Sequence, residues 1–302
     1  ICLTNPRTVN AEDIAFQIAP RLNAAGRMDH AKQAAKLLMT EDADEANRLA
    51  LSLDSLNLDR KNTESNMLKE IISYLDEHPG ELNKQALVLA GNNWHEGVLG
   101  IVASRLVDKF FRPVVVISTR EETGMGKGSA RSVAGFNLYR GLAVCSDQLE
   151  NFGGHTMAAG LQIKNDNIPH FKEKFESAVR QETGDIAFLA KVLVDYEIQF
   201  NEITDRIIDE IETLKPFGAG NPEPLFSARD IRVRQSRIVG KNHRRMLLYQ
   251  SAAGMDCTFS AIEFNVNTHR PLRESFDRIA FRLHWNYWNG RKTAQMVVEE
   301  TQ

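Results

Sequence analysis

Hydrophobic positions recur at helical spacing over residues 29–77. The two apolar stripes comprise Leu37, Leu38, Leu49, Leu53 and Leu56, and then Met67, Leu68, Ile71, Ile72 and Leu75. Between them the segment DRKNTES (59–65) is polar on every face, which is typical of a helix that bridges two domains through solvent. The pattern therefore predicts a helix over residues 29–77 that connects two domains. Before it, residues 12–28 predict a short apolar segment, a proline break and a glycine loop.

After residue 80 the pattern changes to that of an α/β domain. The segments ALVLA (86–90) and PVVVIS (113–118) indicate buried strands, with a helix at about 97–110 between them. A strand, helix and strand at this spacing predict a parallel βαβ unit. Further helices at about 137–150 and 168–181, and a strand near 158–163, complete a predicted domain over residues 84–183.

The last part of the chain alternates like a small all-β domain. A turn-rich joint, LKPFGAGNPEPLF (214–226), is followed by five or so short alternating segments. Such a spacing favours a β-barrel over residues 184–302, with an OB-fold as the leading candidate. The predicted fold class is thus α/β plus all-β.

Composition restricts the class of protein. The 302 residues are 42% hydrophobic and 25% charged, as in soluble globular proteins. No apolar run is long enough to span a bilayer, so no membrane role is expected. The three cysteines are isolated, which argues against a disulfide framework or a thiolate metal site and predicts a reducing, cytoplasmic setting. Because the chain opens with Ile1 and an irregular stretch, we expect it to be a piece of a longer protein.

The stretch LENFGGHTMAAGL (149–161) is the first candidate for chemistry. Gly153 and Gly154 precede His155, and glycines allow a phosphate to approach the backbone while an imidazole donates to it. A tight turn with a structural histidine is the alternative.

A second candidate is the stretch GMGKGSARS (124–132), predicted as a loop after a strand. Ser129 and Arg131, two residues apart on extended backbone, project to one side and can grip one phosphate, and Ser132 follows them. A basic surface loop is the competing interpretation.

Two weaker candidates carry aromatic and basic side chains. Trp94 and His95 precede a predicted helix N-terminus, where an anion is favoured, although His95 could equally cap the turn. Arg21 and Arg27 flank Ala-Ala-Gly and suit a clamp on a phosphate, or are a pair of solvated charges.

A basic segment runs from Arg229 to Arg245 in the predicted barrel. Its candidates for nucleic-acid binding, with an aromatic partner from LHWNYWNG (283–290), are Arg232, Arg234, Lys241, Arg244 and Trp285. A basic groove with stacking aromatics is how OB-folds bind single strands. Against this, aromatics on barrels are often core residues, and alternate arginines can simply face solvent.

Five of these segments, in this order, resemble the later portion of the RecJ family of single-strand-specific 5′→3′ DNA exonucleases, in the DHH phosphoesterase superfamily. They are APRLNAAGRM (19–28), WHEGVLGIVASRL (94–106), GSARS (128–132), FGGHTMAAG (152–160) and PFGAGNPEPLF (216–226). The resemblance implies the end of a DHH catalytic domain (1–40), the connecting helix (41–83), a DHH-associated substrate-binding domain (84–183) and the OB-fold (184–302).

The resemblance also implies roles. Arg27 and Arg21 would stabilise charge on the scissile phosphate, and Ser129 and Arg131 would hold a terminal 5′-phosphate. His155, with Gly153 and Gly154, would contact a phosphate that faces the metal site. The cofactor would be a pair of Mn²⁺ or Mg²⁺ ions whose ligands lie upstream, with none in this chain, so that the chain alone would be inactive.

Single-stranded DNA is the implied partner, and single-stranded-DNA-binding protein is a further candidate. Two other functions stay open. One is a DHH phosphodiesterase acting on oligonucleotides or cyclic dinucleotides, and the other is a non-catalytic single-strand-binding module. About 120 residues with a basic β-pattern follow the predicted α/β domain (84–183), and this tail favours long single strands as the ligand.

Overall fold

The computed structural model describes residues 9–184, 188, 191–252, 255–267, 271–288 and 290–302. The chain forms two compact units, Ile1–Ala190 and Lys191–Gln302. Within the described residues, no helix is both long enough and apolar enough to cross a membrane.

The first unit begins with helices. They are a π-helical turn (Asp13–Ile18), α1 (Ala19–Met28), α2 (Lys32–Met39) and α3 (Ala43–Glu77). The predicted proline break and glycine loop were wrong, because both residues lie within α1. Pro20 occupies the first turn, where a missing N–H breaks no helical hydrogen bond, and Gly26 is followed by two more helical residues.

The helix predicted from residue 29 onward is interrupted before α3. Thr40 takes an extended conformation, and the Asp42 carboxylate accepts hydrogen bonds from the N–H groups of Asp44 and Glu45 at 2.8 and 3.2 Å. Asp42 is therefore the N-cap of α3.

The sequence predicted that the middle of α3 is solvated on every face, and this prediction was wrong. Arg60 and Glu64 are 8% and 4% exposed and form an ion pair at 2.5 Å, and Arg60 also donates to Asn57. Glu64 pairs in addition with Arg105 of the next helix. Burial of these charges is tolerated because each has an opposite or hydrogen-bonding partner.

A five-stranded sheet follows α3, and helices cover both its faces. Its strands are β1 (Leu87–Asn92), β2 (Val114–Arg120), β3 (Met125–Arg131), β4 (Asn151–Gly154) and β5 (Ala158–Lys164), and the helices are α4 (Leu99–Phe110), α5 (Leu138–Val144) and α6 (Ile168–Thr183). The strand order is β1-β2-β3-β5-β4. The parallel βαβ prediction is confirmed, since β1 pairs in parallel with β2 and α4 connects them.

Two predictions for this region were wrong in detail. The helix at 137–150 stops at Val144, and a 3-10 turn follows it (Ser146–Gln148). The segment GMGKGSARS, predicted as a loop, forms β3, and residues 151–154 of the histidine stretch form β4.

The two faces of the sheet have separate cores. On one face α3 and α4 pack over β1 and β2, through Met67, Ile71, Leu75, Val102, Leu106, Val114 and Val116 among others. On the other face α5 and α6 pack over residues such as Val115, Ile117, Leu142, Leu161, Phe171 and Phe175. Because α4 reaches only to β3, the strands β5 and β4 continue beyond it on the α4 face.

The second unit is a closed barrel, which confirms the OB-fold prediction. Its elements are β6 (Tyr196–Glu197), α7 (Asp205–Thr213), β7 (Phe226–Val239), β8 (His243–Ala252), β9 (Met255–Glu263), β10 (Ser275–Trp288) and β11 (Arg291–Thr301). The strand order β7-β8-β9-β11-β10 is closed by pairing of β10 with β7. Its core includes Phe200, Ile208, Ile231, Leu248, Phe281 and Met296.

Candidate nucleic-acid interface

Two glycines next to Ser129 leave the main chain uncovered on the α4 face of the sheet. The strand registers place Gly160 of β5 next to Ser129, and Gly153 of β4 next to Gly160. A Cβ built on Gly153 would meet nothing within 4 Å, and one on Gly160 would meet only a backbone oxygen at 3.8 Å. These glycines therefore face open space. We call the surface of Gly153 and Gly160 the glycine shelf.

Gly154 is a glycine for a different reason. Its φ of +151° is unfavourable for other residues, and a Cβ there would lie 2.4 Å from the Ala158 carbonyl oxygen. The chain then turns through His155, whose N–H donates to the Ala158 oxygen at 2.8 Å. Ala158 in turn pairs with Arg131 across the strands. His155 is exposed, and one strand separates it from Arg131.

Ser129 and Arg131 meet at the first turn of α4. The Arg131 guanidinium donates to Ser129 Oγ at 3.2 Å and to the Ala130 carbonyl at 2.8 Å. A Cβ on Gly100 would lie 2.7 Å from Arg131 Nη2 and 3.1 Å from Ser129 Oγ. The two side chains thus pack directly on the N-terminal turn of α4, where the helix dipole favours an anion. We call Ser129, Arg131 and Gly100 the anion anchor.

Arg27 reaches the same place from α1. A Cβ on Gly97 would lie only 1.9 Å from the Arg27 carbonyl oxygen, and Arg27 Nη1 donates to the Gly97 oxygen at 3.4 Å. Burial, and in addition the charge on Arg27, lower the pKa of Arg131 below its ordinary value. Two guanidinium groups that repel each other are stabilised when an anion binds between them.

A third cation and a carboxylate lie farther along β3. Lys127 is two residues before Ser129, and its ammonium donates to Glu96 at 2.9 Å. Arg120 donates to the other Glu96 oxygen, also at 2.9 Å. The hydrogen bond from Lys127 lowers the pKa of Glu96, although burial opposes that shift. A cavity of about 380 Å³ opens here, lined by Glu96, Ser118, Arg120, Thr123, Met125, Gly126, Lys127 and Gln162.

Two other predicted site residues, Arg21 and Trp94, contact the fold instead. Arg21 donates to Asp54 of α3 at 2.7 Å and to the Gln17 carbonyl of the preceding π-helical turn at 2.8 Å. Trp94 donates its indole N–H to Glu70 of α3 at 3.1 Å, and its ring lies against Gly91. These contacts fix α1 and β1 to α3.

His95 and Ser132 also have structural partners. His95 Nδ1 accepts the Gly97 N–H at 3.1 Å, which caps the turn before α4 and leaves the other ring nitrogen on the exposed side. The Ser132 hydroxyl is buried and donates to the Phe136 carbonyl at 3.0 Å. Ser132 therefore closes the turn after β3.

On the barrel, the prediction for Arg244 was wrong. Arg244 is 2% exposed and points inward, where it donates to Ser236 and to the Arg273 carbonyl. Trp285 is partly exposed, donates to Asp209 of α7 at 2.8 Å, and has the Lys292 ammonium over its ring at 3.9 Å. A role for Trp285 in nucleic-acid binding stays a prediction.

The outer face of β7, β8 and β9 carries the basic groove of the barrel. Arg237 pairs with Arg245 across the strands, and the surrounding cavity of about 430 Å³ is lined by Gln235, Ser236, Arg237, Arg245, Met246, Leu247 and Ser260. Arg232, Arg234 and Lys241 are exposed nearby in the chain. The face made by the second and third strands is the one that OB-folds use for oligonucleotides.

Several of these residues were not predicted. Gly97, Gly100 and Gly160 lie inside motifs that were singled out for their polar side chains. Gly100 leaves room for the Arg131 and Ser129 side chains, Gly97 leaves room for the Arg27 main chain, and Gly160 leaves the surface beside Ser129 open. Arg237 and Arg245 lie in the basic segment, but only the strand register shows that they share the outer face.

Comparison with known proteins defines the class of both units. A family model described as the DHHA1 domain matches residues 83–181, and one described as the RecJ OB domain matches residues 194–300. The chain therefore combines a DHHA1 domain with a RecJ-type OB-fold.

The chain belongs to the RecJ family. It is 37% identical over 295 residues to the single-stranded-DNA-specific exonuclease RecJ of Bacillus subtilis, covering 96% of this chain and 37% of the relative. It is 34% identical to the Haemophilus influenzae protein of that name, with 98% and 52% covered. The chain thus spans about half, or less, of the length of these relatives.

Solved structures agree with this assignment. The crystal structure of RecJ in complex with Mn²⁺ from Thermus thermophilus matches with a TM-score of 0.82 at 29% identity, over 98% of this chain and 42% of that one. The corresponding Mg²⁺ complex matches with a TM-score of 0.80.

Proposed function

We propose that this chain is the substrate-binding portion of a metal-dependent exonuclease that degrades single-stranded DNA from its 5′ end, releasing 5′-mononucleotides in repair and recombination. The observation that supports it best is the convergence of three separate segments on one anion site. Ser129 and Arg131 from β3 meet Gly100 of α4, with Arg27 of α1 beside them.

The anion anchor is suited to a terminal phosphate. The Arg131 fork and the Ser129 hydroxyl supply donors, and the α4 N-terminus supplies a favourable field. The glycine shelf next to it lets a sugar-phosphate chain lie against the sheet without meeting a side chain. His155, at the end of the shelf, would contact the next phosphate, and Arg27 would stabilise charge on it.

The metal ions belong to another part of the proposed enzyme. Among the residues that the structure describes, no group of three His, Cys, Asp or Glu side chains could hold a metal ion. The related structures contain Mn²⁺ or Mg²⁺. We assign to this chain the binding and orientation of the strand, and to a DHH catalytic domain the two ions that would activate water.

An apolar surface on the helical part is consistent with a domain packing there. Phe16, Leu38, Met39, Leu51 and Leu58 are between 58% and 81% exposed, all on the first helices. Apolar side chains concentrated in this way usually mark an interaction surface. In the proposal, the catalytic domain covers them.

The OB-fold would bind additional nucleotides of the single-stranded DNA. The paired Arg237 and Arg245, on the outer face, neutralise phosphates without reading bases. This groove favours long single strands over short oligonucleotides or cyclic dinucleotides. Single-stranded-DNA-binding protein as a further partner stays a prediction of the family resemblance.

The anchor is tested by binding of fluorescent single-stranded oligonucleotides to the purified chain without metal. We expect a 5′-phosphate to strengthen binding relative to a 5′-hydroxyl, and Arg131→Ala to abolish that difference. Arg140→Ala is the matched control, because Arg140 is exposed on α5 at the opposite face of the sheet. Equal discrimination in the Arg131→Ala variant and the wild type would refute the anchor.

A further inference from the structure

The side chains of β3 continue past the anion anchor to Lys127. Alternate residues of a strand lie on one face and are about 6.8 Å apart, so Arg131, Ser129 and Lys127 form a ladder of polar groups. The anchor end of this ladder faces the glycine shelf and Arg27. The Lys127 end faces Glu96 and the cavity of about 380 Å³.

Glu96 is held firmly at that end. Its oxygens accept from Lys127 and Arg120, both at 2.9 Å. Its main chain lies between His95, which caps the turn, and Gly97, whose Cα is pressed against the Arg27 carbonyl. The hydrogen bond from Lys127 lowers the pKa of Glu96, so the carboxylate is charged at neutral pH.

The cavity would otherwise be a second anion site. Lys127 and Arg120 point two positive charges into a space with room for additional groups, next to Ser118, Thr123 and Gln162. Glu96 accepts one hydrogen bond from each cation and places a negative charge about one ladder step from the anchor. It cancels one of the two positive charges, so the cavity attracts a further phosphate less strongly than Lys127 and Arg120 alone would.

We propose that Glu96 is a specificity-determining residue that makes the anchor favour a 5′-monophosphate over an end that carries additional phosphates. This inference rests on the proposed function, because it takes the terminal phosphate to bind at Ser129 and Arg131. The disfavoured class comprises 5′-di- and triphosphate ends, whose extra charges would enter the cavity beside Glu96.

The size of the effect follows from Coulomb's law. Two unit charges about 7 Å apart in a water-like dielectric change an affinity by about threefold. A 5′-triphosphate adds at least two charges beyond the anchored phosphate, so removal of the Glu96 charge should shift the preference by about tenfold. Added salt should weaken the shift, since exposed charges are screened.

The experiment measures binding of three oligonucleotides of one sequence, bearing a 5′-hydroxyl, a 5′-monophosphate or a 5′-triphosphate. The protein is the full chain without metal, as wild type, Glu96→Gln, Lys127→Met, and the double variant. Glu122→Gln, an exposed residue of the β2–β3 turn, removes the same charge outside the cavity and is the control. Thermal unfolding verifies that each variant is folded.

We expect Glu96→Gln to raise affinity for the triphosphate about tenfold relative to the monophosphate, Glu122→Gln to leave that ratio unchanged, and Lys127→Met to cancel the gain. A ratio unchanged in Glu96→Gln, or a gain that persists without Lys127, overturns the inference while leaving the anchor intact. If the wild type does not distinguish 5′-monophosphate from 5′-hydroxyl, the anchor fails, and the assignment of Glu96 fails with it.

Discussion

A side chain placed on the glycine shelf should weaken binding of single strands without lowering the stability of the fold. Gly160 sits in the middle of β5, and a Cβ there would have only one neighbour, the Gly128 oxygen at 3.8 Å. In Gly160→Val the new side chain meets no steric obstacle in the folded chain. A glycine inside a strand weakens it by about 0.5–1 kcal/mol relative to alanine, and valine favours strands. We expect the melting temperature to be unchanged or to rise by about 2–4 °C.

The same substitution should weaken binding of single strands. Valine places three carbon atoms in the open space beside Ser129, where the strand lies in the proposed complex. Losing one charge-assisted hydrogen bond at the anchor costs about 1.5–3 kcal/mol, or about 10- to 150-fold in affinity.

The assay is fluorescence anisotropy with a 5′-phosphorylated oligonucleotide, together with calorimetric unfolding. Gly80→Val serves as the control, because Gly80 likewise has no atom near its Cβ position but lies in the turn that precedes β1. If Gly160→Val is folded and binds like the wild type, the strand does not lie on the shelf. If it unfolds, the space beside Ser129 is not open.

Three other expectations concern the barrel and the cysteines. Replacing both Arg237 and Arg245 by Gln should lower the slope of log affinity against log salt concentration by about 1.4, because each lost phosphate contact to a single strand reduces the slope by about 0.7. A salt titration of binding measures the slope. An unchanged slope would exclude the groove from the interface. Arg244→Ala should lower the free energy of unfolding by about 2–4 kcal/mol, because it removes a buried, hydrogen-bonded side chain. Denaturant unfolding of the variant within about 0.5 kcal/mol of the wild type would contradict this. Burial raises the pKa of the Cys145 thiol to about 11, so alkylation at pH 8, followed by mass spectrometry, should label it only after unfolding. Rapid labelling of the folded chain would show that the thiol is accessible.

The parts of the fold that the sequence predicted well are those with large apolar residues. The segments at 86–90 and 113–118 read as buried strands because both of their faces are covered, by α4 on one side and α6 on the other. The strand β3 lacks this signal. Its core-facing positions include Gly126 and Gly128, and a Cβ on either would lie 2.9 Å from a side chain of Ile117 or Leu161. Large neighbours fill that volume, so the strand itself is made of small residues and resembles a loop.

In the barrel, side chains alternate between the inner and the outer face of each strand, and this alternation determines which arginines are exposed. Arg244 and Arg245 are adjacent in sequence and point to opposite faces, inward and outward. A register shift between Val233 and Gln235 changes the alternation on the neighbouring strand. The sequence of basic residues alone does not show on which face each arginine lies. That face depends on the position of the β-bulge and on the strand with which each strand pairs.

The sequence predicted which segments form the site but not how their side chains are arranged in space. The polar residues Ser129, Arg131 and Arg27 were found because their types suit a phosphate. Their mutual approach depends on Gly97 and Gly100, which only the packing of α1 and α4 against β3 shows. The negative contribution of Glu96 was not predicted either, since it needs both Arg120 and Lys127 in place.

The contact between Gly97 and the Arg27 carbonyl sets a mechanical limit on the spacing of two parts of the site. Both sides of this contact are main chain, and main-chain atoms cannot rotate out of the way as a side chain can. The end of α1 and the turn before α4 are therefore held at one spacing. Arg27 and the anion anchor are thus already close together before a phosphate binds, and binding need not draw the two helices together.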